Sequence, residues 1–129
     1  YRGGTENVPA AMGFAAALTH ARYWTDRAAD LRHQLDSAIR AAGGEVVAQN
    51  APRLPGIGSY RMPGVAANAQ LIQFDLAGVS VSAGSACSSG TLKTSAVLTA
   101  MGWDDTAAGE VVRVRFAPPT TRALVYRFL

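Results

Sequence analysis

The feature that most constrains the fold is a long stretch of helix-forming residues, 7–42, which ends at Gly43-Gly44. Ala, Leu, Met and Arg dominate it, and Pro9 stands in its first turn, where a proline is tolerated. Apolar residues recur at helical spacings of about three and four, at Phe14, Leu18, Leu31, Leu35 and Ile39. Residues 19–25 interrupt this stripe, so we expect two consecutive helices.

Short strands and helices alternate after the two glycines. Val, Ile and Tyr runs predict strands over 45–48, 57–62, 79–82 and 111–116. Helices are expected over 66–76 and 95–101, with a helical turn over 106–110 and a terminal helix capped by Thr120 or Thr121. The elements follow no repeating unit, so we expect an α+β fold with a small, mainly antiparallel sheet and helices packed on one face.

The size and charge of the chain exclude several classes of protein. A chain of 129 residues, 49% of them hydrophobic, is long enough for a single domain with its own core. No apolar run approaches the roughly 20 residues that cross a bilayer, so we expect no membrane contact and a cytoplasmic location. The eleven Arg and one Lys are scattered singly, which argues against nucleic-acid binding. Because the chain starts at Tyr1 without a Met, we expect it to be part of a longer protein.

The only cysteine, Cys87, lies in a loop of small residues, AGSACSSG at 83–90. A single cysteine excludes an internal disulfide and a multi-cysteine metal site within the chain. Small neighbours leave the thiol accessible, and a nearby cation or helix N-terminus would favour the reactive thiolate. A lone cysteine is also commonly a small buried apolar residue. The residues alone leave both interpretations open.

The longer segment 79–90, VSVSAGSACSSG, is similar to the cysteine-bearing loop of the cysteine desulfurase family. It resembles the branch with S-x-G-S-A-C, which supplies sulfur for iron–sulfur clusters and thiolated nucleosides. The resemblance implies that Cys87 takes the sulfur of L-cysteine as a persulfide, with pyridoxal 5'-phosphate (PLP) as cofactor and L-alanine as the other product. It also implies a class V aminotransferase fold, of which residues 1–129 would be the small C-terminal domain. No resident metal is expected, although Cys87 is a candidate for transient iron–sulfur ligation.

The first residues, YRGGTEN at 1–7, place two glycines and a hydroxyl before a helix N-terminus. Free amides and the helix dipole favour an anion there, but Thr5 or Asn7 could equally be a helix cap. The heptad is similar to the R-x-G-T-x-N motif of the desulfurases. That resemblance implies that Thr5 binds the cofactor phosphate of the partner subunit, and hence that the protein is a homodimer. Arg2 matches the motif without an assigned role.

Near the end of the chain, residues 113–121, RVRFAPPTT, align with the family motif R-x-S-x-x-x-x-T-T. The resemblance implies that Arg113 binds the substrate carboxylate, for which a guanidinium provides two parallel hydrogen bonds. Strand alternation places Arg113 and Arg115 on the same face. Arg115 replaces a small Ser of the family, and Arg122 stands where an acidic residue is common. Further similarity at 51–55, 75–78 and 90–93 extends the resemblance over essentially the whole chain.

The lysine that binds the cofactor covalently is expected elsewhere. Lys93 is the only lysine, and its context TLKT differs from the S-x-H-K motif of that lysine in the family. The N-terminal PLP-lysine domain is therefore expected to be absent from this chain, and the fragment alone is expected to be inactive. His20 and His33 lack partners at metal-ligand spacing and are not site candidates.

The leading hypothesis is the C-terminal part of a cysteine desulfurase. Its expected partners are L-cysteine, a second copy of the chain, and sulfur acceptors such as an iron–sulfur scaffold or a tRNA thiolation enzyme. The alternative is a non-catalytic paralogue or fragment that acts as a dimerisation and sulfur-relay module, for which the change at Arg115 leaves room. A third hypothesis, an epimerase or carbon–sulfur lyase of the same fold, is disfavoured by the cysteine loop.

Overall fold

A computed structural model of the chain describes residues 4–84 and 94–129, and of residues 21–23 the backbone alone. The described part contains both helices and strands, as the sequence predicts for an α+β fold. In chain order the elements are α1 (Val8–Ala41), β1 (Glu45–Val46), β2 (Ile57–Arg61), α2 (Ala67–Leu76), β3 (Ser82–Ala83), α3 (Ala96–Ala100), α4 (Asp105–Ala108), β4 (Val111–Arg115) and α5 (Arg122–Phe128).

The four strands form one antiparallel sheet in the order β1-β2-β4-β3. Strand β4 lies inside the sheet and pairs with β2 along five residues of each strand. On its other side it pairs with the two-residue strand β3. The predicted antiparallel sheet is thus confirmed, and β4 is flanked by strands that come from two different parts of the chain.

Helix α1 is continuous over 34 residues, so the prediction of two helices was wrong. Residues 19–25 contain neither Gly nor Pro, and nothing in them interrupts backbone hydrogen bonding. Residues 8–20 are exposed, Trp24 packs against the edge of the core, and Ala28 is the first buried residue among the described side chains of the helix. The apolar stripe is therefore not continuous along the helix. Despite this length, no helix among the described residues is long and apolar enough to cross a membrane.

The main core lies between one face of the sheet and helices α1, α2 and α5. Its aromatic members include Phe128, which stacks on Phe74 of α2 with ring centroids 4.3 Å apart. Aliphatic and aromatic residues from the helices and from β2 and β4 complete this cluster, among them Leu31, Leu35, Ile39, Tyr60, Val112, Val114, Phe116 and Val125. The prediction of helices on one face is confirmed for these three helices.

Among the described residues, helices α3 and α4 cover one end of the opposite face of the sheet. There Val111 packs with Leu98 of α3 and Ala108 of α4 in a smaller cluster. The rest of this face bears mainly polar side chains. Paired residues of antiparallel strands project to the same side of the sheet, so these residues share one face. We call it the arginine face and define it by Ile57, Ser59, Arg61, Ser82, Arg113 and Arg115.

Candidate functional site

The centre of the arginine face is Arg113. Its neighbours Val112 and Val114 are buried, and Arg113 itself is exposed, as expected for alternation along β4. It pairs in register with Ser59 of β2 on one side and with Ser82 of β3 on the other. The Ser82 hydroxyl also donates a hydrogen bond to the Arg113 carbonyl oxygen at 3.4 Å. The guanidinium therefore emerges from the middle of the sheet, between two hydroxyl-bearing residues.

Cys87 lies outside the described residues, as do Arg2 and Lys93. Strand β3, which precedes the cysteine in the sequence, is described, and its Ser82 pairs with Arg113. Paired residues of an antiparallel sheet have Cα atoms about 5 Å apart. The described strand β3 therefore attaches the start of the cysteine loop directly beside the predicted carboxylate-binding arginine.

Thr5 stands just before α1, and Asn7 rather than Thr5 is the helix cap. The Asn7 side-chain oxygen accepts a hydrogen bond from the Ala10 amide at 3.2 Å. Thr5 is exposed, and its hydroxyl makes no hydrogen bond to a described residue. Of the two roles that the sequence left open for Thr5, helix capping is thereby excluded. No hydrogen bond in the described part of the chain links Thr5 to Arg113.

Arg61, the third arginine of the arginine face, is neutralised within the chain. Its Nε donates to Glu110 Oε2 and its Nη1 to Glu45 Oε1, both at 2.8 Å. The hydrogen bond to Glu110 is the main cause that raises the pKa of Arg61. In contrast, neither Arg113 nor Arg115 forms an ion pair with any residue that the structure describes. These two are the cations of the face that remain available to an anionic ligand.

A buried polar cluster on the helix-covered side was missed by the sequence reasoning. Asp36 of α1, 3% exposed, accepts hydrogen bonds from Arg53 Nη2 at 2.7 Å and from the Tyr60 hydroxyl at 2.9 Å. Arg32 Nη1 donates to the Leu54 carbonyl oxygen at 2.6 Å. The only local signal was the Arg32 and Asp36 spacing of four, which joins residues on one helix face.

This cluster fixes the loop before β2. The side chains of Arg32 and Asp36 hold residues 53–54 against α1, and the loop then leads directly into Ile57 at the start of β2. Burial, with Asp36 adding to it, raises the pKa of Tyr60 far above its ordinary value, so the hydroxyl stays a donor. The cluster lies on the helix-covered side of the sheet, opposite the arginine face, and does not belong to that face.

No group of three His, Cys, Asp or Glu side chains suited to a metal ion occurs within residues 4–84 and 94–129. The two unpaired guanidinium groups instead define a site for anions. An unpaired arginine in the strand next to β3, where the cysteine-bearing segment of the sequence begins, is suited to a ligand that carries a carboxylate.

Comparison with known proteins identifies the family of the chain. The sequence profile of the Aminotransferase class-V family matches residues 1–128, and the chain therefore belongs to that family. A cysteine desulfurase of Rhodobacter capsulatus is 41% identical over 133 residues, which cover 99% of this chain and 35% of the relative. Cysteine desulfurase IscS 1 of Archaeoglobus fulgidus is 36% identical and covers 78% of this chain and 28% of the relative.

A solved structure shows the same fold. The NifS-like protein from Rickettsia africae superposes with a TM-score of 0.79 at 30% identity, over 98% of this chain and 34% of that protein. The resemblance to cysteine desulfurases and the α+β fold are thus confirmed. The chain spans about a third of the length of these relatives.

Proposed function

We propose that the complete protein is a PLP-dependent cysteine desulfurase, of which this chain is the small C-terminal domain. In the reaction L-cysteine gives up its sulfur to Cys87 and becomes L-alanine. The observation that carries the proposal is the pairing of Ser82 with Arg113, because it joins the start of the cysteine loop to the strand of the carboxylate-binding arginine. The relatives named cysteine desulfurase support the same reaction.

Arg113 orients the substrate in this proposal. Its planar guanidinium donates two parallel hydrogen bonds to the α-carboxylate of L-cysteine, and this fixes the direction of the side chain. Ser59 and Ser82 flank Arg113 and limit where the carboxylate can lie. Correct orientation matters because a sulfur that is poorly aligned with its acceptor reacts slowly.

Cys87 is the sulfur acceptor. Its thiolate attacks the substrate sulfur, so that a new S–S bond forms while the C–S bond of the substrate breaks. The electron pair of the broken bond stays with the carbon fragment, which takes a proton and becomes alanine. The sum is L-cysteine plus a Cys87 thiol giving L-alanine plus a Cys87 persulfide. The same residue is the candidate for transient iron–sulfur ligation.

The residues present fit a phosphate-bearing cofactor. The exposed Thr5 hydroxyl has no hydrogen-bond partner among the described residues, and it precedes the N-terminus of α1, where phosphate is favoured. We assign it to the PLP phosphate in the partner subunit, which makes the active protein a homodimer. When bound, PLP withdraws electrons from the substrate's α-carbon. Its covalent lysine lies outside this chain, so residues 1–129 alone are inactive.

The sulfur acceptors are proposed to be proteins, such as an iron–sulfur scaffold or a tRNA thiolation enzyme, in the cytoplasm.

One specific observation favours a second candidate function, a dimerisation and sulfur-relay module without catalysis. Arg115 places a second large cation beside Arg113, where the family motif has a small serine. Such a change is compatible with an altered or lost substrate site.

The deciding experiment is the mass of the Cys87 peptide. The complete protein is mixed with PLP and L-cysteine, trapped with an alkylating agent and digested without reductant. We expect one added sulfur atom on the Cys87 peptide together with alanine, and neither product with Cys87→Ser, although that variant still binds PLP. An unmodified peptide in a protein that holds PLP would contradict the desulfurase and favour the relay module.

A further inference from the structure

Arg115 is a second unpaired cation on the arginine face. It stands two positions after Arg113 in β4, and both are exposed on the same side of the sheet. Their Cα atoms are therefore about 7 Å apart, twice the rise per residue of a strand. Neither side chain has a hydrogen bond or ion pair with a described residue, whereas Arg61 on the same face has two carboxylate partners.

Within residues 4–84 and 94–129, the two clefts next to Arg115 contain no carboxylate. Arg115 borders a cleft of about 160 Å³ that is lined largely by core residues such as Val114 and Phe128, and no carboxylate lines that cleft. It also borders a shallower groove of about 240 Å³ with Trp24 and Ile57, again without a carboxylate. Two neighbouring guanidinium groups repel each other, so a ligand that brings two anionic groups binds more favourably than one that brings a single group.

We propose that Arg113 and Arg115 together bind short dianions, so that four-carbon dicarboxylates compete with L-cysteine for the arginine face. This inference rests on the proposed role of Arg113, which holds one carboxylate while Arg115 binds the second. A four-carbon dianion has a suitable length. The two arginine side chains are flexible and start from Cα atoms about 7 Å apart, so each guanidinium can reach one of its carboxylates.

The test compares succinate with succinamate, which has the same shape and one negative charge fewer. Neither compound has an amine that reacts with the cofactor, so calorimetry on the complete, PLP-loaded protein measures binding alone. A charge-assisted hydrogen bond to the second carboxylate predicts that succinate binds roughly tenfold to hundredfold more tightly. In Arg115→Ser this preference should vanish, while succinamate binds as before.

Arg122→Ser is the matched control, because Arg122 is an exposed arginine at the start of α5 and not on the arginine face. It should leave the preference for succinate unchanged. Arg113→Gln should weaken both ligands, since both use that arginine for one carboxylate.

Equal binding of succinate and succinamate by the unchanged protein would overturn the proposal. A preference for succinate that survives Arg115→Ser would also overturn it. If that variant in addition lowers Tm, Arg115 pairs with a carboxylate elsewhere in the complete protein and is not free for a ligand. Binding is measured without turnover, so the outcome is separate from the sulfur-transfer test. A protein that prefers succinate but never forms a persulfide on Cys87 would support the arginine pair and refute the desulfurase.

Discussion

At the scale of single residues, Asp36 has the most consequential position among the described residues. One carboxylate, 3% exposed, receives hydrogen bonds from Arg53 and from the Tyr60 hydroxyl, and it lies 4.0 Å from Arg32 Nε. A buried charge is tolerated only when it is paired and hydrogen-bonded. Asp36 therefore allows two arginines to lie near the core and tie the loop before β2 to α1.

Asp36→Asn should strongly destabilise the chain. The substitution keeps the shape but leaves two largely buried guanidinium groups without a counter-charge, which costs about 3–5 kcal/mol when a buried pair is broken. Urea unfolding measures the loss, with Asp30→Asn as the control on an exposed face of the same helix. Equal stability of the two variants would show that Asp36 does not stabilise the buried polar cluster.

Tyr60 gives the stability a distinct dependence on alkaline pH. Burial raises its pKa well above the ordinary 10.0, and Asp36 raises it further. A raised pKa means that the neutral hydroxyl stabilises the fold fully below pH 10, and that this contribution declines above it by up to about 1.4 kcal/mol per pH unit. The free energy of unfolding of Tyr60→Phe should therefore fall less steeply above pH 10 than that of the unchanged chain.

Tyr126→Phe is the control for this pH series, because Tyr126 is 69% exposed. It should follow the unchanged chain across the alkaline range. If Tyr60→Phe and Tyr126→Phe gave the same pH profile, the buried hydroxyl would not be the group that titrates on unfolding.

At the scale of elements, β2 depends on a glycine that faces the core. A Cβ at Gly58 would lie 2.5 Å from the Tyr60 ring carbon Cζ, and the hydrogen bond to Asp36 prevents the ring from moving aside. In α1, a Cβ at Gly13 would meet nothing within 4 Å. The same substitution should therefore have opposite effects in the two elements.

Gly58→Ala should destabilise the chain by about 1–3 kcal/mol through overpacking, whereas Gly13→Ala should stabilise it by about 0.5–1 kcal/mol through helix propensity. Thermal and urea unfolding of both variants checks the signs. A Gly58→Ala variant as stable as Gly13→Ala would mean that Tyr60 and the strand relax without cost.

Helix α1 itself has two unlike halves. Its second half packs into the core, but its first half exposes large apolar residues in the described structure, at Val8, Met12, Phe14 and Leu18. Helical order in that first half rests on the Asn7 cap and on local propensity, since packing within the described chain contributes little there.

At the scale of the whole molecule, the proposed site needs more than one chain, because Thr5 is assigned to the cofactor of the partner subunit. Thr5→Ala in the complete protein should weaken PLP binding by about tenfold, the loss of one hydrogen bond to a charged group, while dimers persist. Titration with PLP and analytical ultracentrifugation measure the two quantities separately. Thr19→Ala, an exposed threonine on α1, is the control, and unchanged PLP affinity in Thr5→Ala would remove Thr5 from the phosphate site.

The sequence by itself determined the kinds of element, because those follow from local patterns. Alternation along Val111–Arg115 placed Arg113 and Arg115 on one face, and glycines after residue 42 ended the first helix. The motifs indicated the family, which the comparisons confirm. The roles of Cys87, Arg113 and Thr5 come from the same motifs and stay predictions.

Only the tertiary structure decided how these elements combine. Asp36 and Tyr60 are 24 positions apart, and Arg61 and Glu110 are 49 apart, so no local pattern could pair them. The same holds for Ser82 and Arg113, whose pairing brings strand β3 beside β4. Which arginine is neutralised and which is left for a ligand depends on these contacts, because charge compensation acts through space and not along the chain.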